Sequence, residues 1–170
     1  MDKAISAVQK VIYGCPTNAK LGDQDVKLLN SFSKERVVPL LREIFITEKD
    51  IVAKSKAYDA LLVIKNYDVV QFLLDVFDQS SIDWQIVYCT TFSHYPEPRA
   101  ITRLCRVLLE HPDPDVRYTA AESLGSIGDE SAIVSLERAC KYDEGVDFEG
   151  FTIAKIAHTA IVKIKNRISQ

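Results

Sequence analysis

No stretch of this 170-residue chain approaches the roughly 20 consecutive apolar residues that a bilayer crossing requires, so no membrane insertion is expected. Met1-Asp2-Lys3-Ala4 runs straight into a mixed polar and apolar segment, without the basic start and apolar run of a secretory signal. The expectation is a cytoplasmic protein. Cys15, Cys89, Cys105 and Cys140 lie far apart, with no CxxC pair or paired His/Cys spacing of the kind zinc needs. They read as buried free thiols, and Cys89, Cys105 and Cys140 fall within apolar helical patterns where cysteine acts as a small hydrophobe. Cationic excess is also missing: 21 Lys and Arg face 24 Asp and Glu, a formal charge of −3, which argues against strong nucleic-acid binding.

Catalytic signatures are equally scarce. There is no HExxH, no GxSxG and no phosphate-binding glycine loop, and His94, His111 and His158 are isolated. His158, directly after Ala157 on a packed helix, reads as a structural histidine. Asp113 and Asp115 read as cap and turn residues rather than as an acid/base couple. The acids Asp143, Glu144, Asp147 and Glu149 lack the alternating ligand pattern of a calcium loop. The expectation is therefore no catalytic residue, no metal, no cofactor and no enzyme.

What is present is a repeat. The chain is 47% hydrophobic and 26% charged, enough for one globular domain with a shared core. Read at a period of 3.6, its apolar residues fall into helix pairs that recur at a nearly constant interval. In the first helix of each pair, Val38, Val70, Ile101 and Ile133 form one row and Leu41, Leu73, Leu104 and Leu136 another. Both step by 32, 31 and 32 residues, as does Phe45, Phe77, Leu108, Cys140. Second helices repeat through Ala53, Trp84, Val116, Ile153, then Ala57, Tyr88, Ala120, Ala157. Leu61, Phe92, Leu124, Ile161 and Ile64, Tyr95, Ile127, Ile164 complete the set. Their steps are 31, 32 and 37, which places about five extra residues within Lys141–Gly150 of the last pair.

Boundaries are marked by local chemistry. Asp50, Ser81 and Asp113 stand where an N-cap satisfies free backbone N–H groups, and Pro114 suits a first helical turn. Asn66-Tyr67-Asp68 and Gly128-Asp129 occupy junctions that need turn-tolerant residues. Ahead of the repeats, Ala4, Ile5, Val8, Val11 and Ile12 share one helical face with Asp2 as its cap. Gly14–Gly22 reads as a loop, followed by a short helix from Asp23 bearing Val26, Leu29 and Phe32. This divides the chain into capping helices over 1–34 and repeats over 35–170, within one domain.

The segment from His111 to Asp129, with Asp113-Pro114-Asp115-Val116-Arg117 and Ala120-Ala121-Glu122-Ser123-Leu124-Gly125, resembles a HEAT repeat. It is similar to the HEAT-like type also found in phycobilin lyases, and Ser131–Leu136 matches the start of the next first helix. The resemblance implies an all-α, right-handed α-α superhelix of the ARM/HEAT-like kind, with about four helical-hairpin repeats. It also implies a protein-binding scaffold in which second helices line a concave surface. Outward positions beside the buried rows then become candidates for a protein partner: Lys54, Asp59, Gln85, Arg117, Tyr118, Glu122 and Lys155. Trp84 and Tyr88 join them as aromatic anchors, with core packing as the competing role. Within this class an adaptor, an assembly factor and an immunity protein are open; a bilin lyase or its subunit, and a DNA-binding protein, are the alternatives from other classes.

Overall fold

Most members of the apolar rows become the buried faces of helices; Val38, Trp84, Tyr95, Ile133 and Cys140 are only half-buried, and Val37, Ala132 and Ala139 take the buried places beside Val38, Ile133 and Cys140. The computed structural model describes residues 2–14 and 21–170; Cys15 and most of the expected Gly14–Gly22 loop lie outside the described residues. Among the described residues there are ten α-helices, one 3-10 turn and a single isolated β-bridge. The chain divides into two compact units, Met1–Val69 and Val70–Gln170.

The first unit holds α1 (Lys3–Tyr13), α2 (Asp23–Asn30), α3 (Lys34–Thr47) and α4 (Ile51–Leu62). Here α3 and α4 pack as a hairpin, and α1 lies against both of them and against α2. Asp2 caps α1 through Ala4 N–H at 2.8 Å, as expected. Its buried face is Ala4, Ala7, Val8, Val11 and Ile12. Ile5, expected on that face, is exposed: Ala7 takes the inward position between Ala4 and Val8. Leu41, Phe45, Ala57 and Leu61 meet in the hairpin core, and Asn66 follows α4 with a φ of 56°. Asparagine tolerates that left-handed backbone better than most residues.

The second unit begins within α5 (Val69–Val76), which runs into a 3-10 turn at Phe77–Gln79. It continues with α6 (Ile82–Phe92), α7 (Pro98–Glu110), α8 (Pro114–Ile127), α9 (Glu130–Tyr142) and α10 (Ile153–Ile168). Two layers result. In one, α7 packs on α9; in the other, α6 packs on α8 and α8 on α10; α7–α8 and α9–α10 join the layers. First helices stack on first helices and second on second, the solenoid-like arrangement that the row spacing predicts. Leu104 and Leu136 in one layer and Val116, Ala120, Leu124, Ile153 and Ala157 in the other retain at most 1% exposure. At about 25 cal/mol per Å² of apolar surface, each buried leucine contributes about 2 kcal/mol.

Caps close the elements. Asp113 accepts from Asp115 N–H and Val116 N–H at 2.9 and 3.2 Å, with Pro114 in the first turn of α8. Asp50 caps α4 through Val52 N–H, and Asp129 caps α9 through Ser131 N–H. Ser81 occupies the N-cap position of α6 without a side-chain bond to the helix. Gly125 is needed for another reason. A Cβ there would meet Ala160 Cα and Cβ at 3.2 Å, so α8 and α10 approach closely at this point.

Candidate protein-interaction surface

Burial of one side of α6, α8 and α10 turns the opposite side outwards, and the common register sets equivalent residues in rows. One row is Ile86, Tyr118 and Lys155; the next is Thr90, Glu122 and Thr159, all three exposed. The threonine hydroxyls are already used. Thr90 donates to Ile86 O at 3.1 Å and Thr159 to Lys155 O at 3.0 Å, so both hydroxyls are tied to their own helices. Tyr118 is half-buried. Its phenol is raised above the ordinary value by burial and then by the negative charges of Glu122, Asp147 and Glu149. Three carboxylates thus lie near this aromatic ring, and Lys155 holds the equivalent position on α10.

Other candidates separate from this face. Tyr88 is completely buried: its ring lies 5.9 Å from Trp84 and 6.0 Å from Phe77, and its hydroxyl is 3.1 Å from Ser80 Oγ. Burial drives its pKa up to about 12. Gln85 is buried as well, donating to Phe77 O at 3.0 Å and bonding to His111 Nε2 at 3.0 Å. Neither leaves side-chain surface for a partner. Trp84 is half-buried at the edge of the same aromatic group, so that group is mainly core. Lys54 and Asp59 belong to α4 in the first unit, where the Lys54 ammonium sits 5.1 Å above the Phe45 ring.

Arg117 has a structural job. Its guanidinium makes a two-pronged pair with Asp143 at 2.8 and 3.0 Å and donates to the carbonyls of His111 and Pro112, both at 2.9 Å. It thus ties the α7–α8 turn to the start of the α9–α10 connection. Burial alone would raise the Asp143 carboxyl, but the bonds from Arg117 and Gly145 N–H outweigh it and hold it below the ordinary range.

The histidines and cysteines also differ from expectation. His158 is exposed, because it sits one residue beyond the inward Ala157 rather than on the packed face. His111 is the structured one: besides Gln85, its Nδ1 accepts from Asp113 N–H at 3.1 Å. Cys89 is buried, and its thiol is pushed up to about 12 by desolvation. Cys105 and Cys140 are only half-buried, and Cys140 Sγ lies 3.5 Å from Ala154 O.

A cleft of about 280 Å³ opens beside His111, lined by Phe77, Arg103, Arg106 and Glu110. Its cations are engaged: Arg103 pairs with Asp78 and lies 4.3 Å above the Phe77 ring, and Arg106 pairs with Glu110 at 2.9 Å. An anionic ligand would have to compete with both carboxylates. Among the described residues, no three His, Cys, Asp or Glu side chains gather as they would around a metal ion, and no helix is long and apolar enough to cross a membrane.

The α9–α10 connection holds apolar side chains as well as the acids Asp143, Glu144, Asp147 and Glu149. Val146, Phe148 and Phe151 are all exposed there, as is Tyr142 at the end of α9. The signal in the sequence was their position: large apolar residues in the one segment that has no counterpart in the other pairs.

The family comparison bears on the same part of the chain. Residues 70–147 match the family model described as HEAT repeats. That stretch is similar to HEAT repeats. Comparison with curated proteins and with solved structures gives no match. The matched stretch takes in α6 to α9, with Tyr118 and Glu122 on α8, whereas α10, with Lys155 and Thr159, lies beyond it.

Proposed function

We propose that this HEAT-repeat chain is a non-catalytic protein-binding module that holds a partner protein on the outward face of α6, α8 and α10. The observation that carries the reading is the pair of aligned rows, Ile86–Tyr118–Lys155 and Thr90–Glu122–Thr159, on helices whose opposite sides are fully packed. A packed stack keeps those side chains at preset spacing, so little conformational entropy is lost when a partner docks. The face mixes an aromatic ring, threonine side chains and charges of both signs. That suits a protein surface better than a phosphate backbone, which calls for a run of cations. Adaptor, assembly factor and immunity protein are the roles that fit.

The test is capture of partners from the cells that make the protein, followed by titration of the purified partner. Tyr118→Ala combined with Glu122→Lys is expected to weaken binding by at least tenfold, about 1.4 kcal/mol, while the helical circular dichroism is unchanged. Undiminished affinity in that variant would remove this face from the interaction.

A further inference from the structure

Among the described residues, the most exposed large apolar side chain is Phe148, at 84%. It stands in the connection between α9 and α10, where Val146 and Phe151 are exposed as well, and Tyr142 is exposed at the end of α9. Such a group in water invites the explanation of a slack loop, but the backbone is built. Val146 and Thr152 form an antiparallel bridge, Asp147 N–H donates to Phe151 O at 2.9 Å, and Ile153 N–H donates to Gly145 O at 3.1 Å. Inside the bend the Asp147 carboxylate accepts from Glu149 N–H at 3.1 Å and Phe151 N–H at 2.7 Å. Gly150 supplies the left-handed turn, with a φ of 86°.

Two anchors fix this hairpin on α8. Asp143, at its root, is gripped by Arg117; at its tip, Phe148 N–H donates to Asp115 Oδ1 at 2.7 Å. Gly145 lies under the same anchor: a Cβ there would come within 2.5 Å of Arg117 Nη2 and 2.8 Å of Ile153 Cδ1, so those side chains would have to shift to admit it. The hydrogen bonds therefore hold an aromatic ring out in solvent, next to the face that carries Tyr118. Rigid, exposed aromatics at low entropic cost are what interface anchors consist of.

Charge identifies the kind of partner. Asp143 and Asp147 are spent on the hairpin itself, whereas Glu144 and Glu149 remain exposed beside Phe148, and Glu122 lies on α8 nearby in the same negative field felt by Tyr118. One cation, Lys141, is folded over the Tyr142 ring at 4.8 Å. An anionic membrane surface or a nucleic acid would be repelled by this rim, while lysines and arginines around an apolar recess would complement it. We infer that the α9–α10 hairpin inserts Phe148 into an apolar pocket with a basic rim on the partner protein. This deepens, and rests on, the reading of α6, α8 and α10 as the binding face.

The experiment places a photoreactive residue, p-benzoylphenylalanine, at position 148 in one form of the protein and at position 118 in another, in the cells that make it. Both are expected to cross-link the same protein. With that protein purified, Phe148→Ala should weaken binding about thirtyfold, and Glu144→Lys with Glu149→Lys should slow association and flatten its dependence on salt. A cross-link from 118 alone, or unchanged affinity in Phe148→Ala, overturns the hairpin proposal and leaves the face reading standing. No cross-link from either position overturns both. A cross-link from 148 to a second copy of the chain, to lipid or to nucleic acid also overturns the proposal.

Discussion

The turn from α7 to α8 and the connection from α9 to α10 join helix pairs that share the same buried rows, yet they are built differently. Between α7 and α8 the chain reverses within a few residues, and the Asp113 carboxylate caps the second helix directly. Between α9 and α10 it makes a hydrogen-bonded hairpin and leaves aromatic side chains in water. Leu104 and Leu136 are equally inaccessible in the two pairs, so the longer connection has not disturbed the packing beneath it. In a stacked architecture the rows between layers hold the repeat together, and connections are free to acquire other work.

The strongest challenge to that comparison is to its shared core. Leu104→Ala and Leu136→Ala should each destabilise the protein by about 3 kcal/mol, measured by denaturant unfolding. A loss near zero in one pair would mean that the pairs are not equivalent. Next comes the tie between the two connections. Arg117→Ala leaves Asp143 with a partly buried, unmatched charge and is expected to cost about 2 kcal/mol. The same pair sets an acid dependence. The Asp143 carboxyl lies below its ordinary value near 3.8 in the folded protein, so its contribution is complete above that value and is lost as pH falls through the lower, folded one. Unfolding midpoints of the wild type should fall towards those of Arg117→Ala as the medium is acidified through that window.

Loss of the short turn's cap is a smaller perturbation: Asp113→Ala should cost about 1 kcal/mol. Smallest of all, Phe148→Ala should change stability by less than about 0.5 kcal/mol, because the ring has almost no contacts to lose. A clear destabilisation in thermal melts would show that the hairpin supports the fold rather than merely resting on it.

The rows were legible because burial imposes a strong period on residue type. Leu41, Leu73, Leu104 and Leu136 face inwards as their spacing requires, and the extra length of the last pair shows directly as a longer step. Caps were partly legible, since Asp50 and Asp113 bond as expected whereas Ser81 does not. Function-bearing details were harder. Arg117 and Gln85 occupy positions next to the buried rows, and periodicity alone cannot tell an outward side chain from one drawn aside by a hydrogen-bond partner 26 residues away. Asp147 shows the same limit. Nothing in its spacing marks it off from Glu144 or Glu149, yet two backbone N–H groups of its own bend hold it in a buried position.

Gly125 has a further consequence. Where α8 meets α10, a Cβ at position 125 would come within 3.2 Å of Ala160 Cα and Cβ and 3.3 Å of Lys163 Cδ, so the two helices leave almost no room between them. The interval between α8 and α10 is consequently set at this point by the backbone of one helix and a small residue of the other. New partners would then be accommodated by exchanging the outward groups at fixed pitch, since widening the pitch would require breaking the stack.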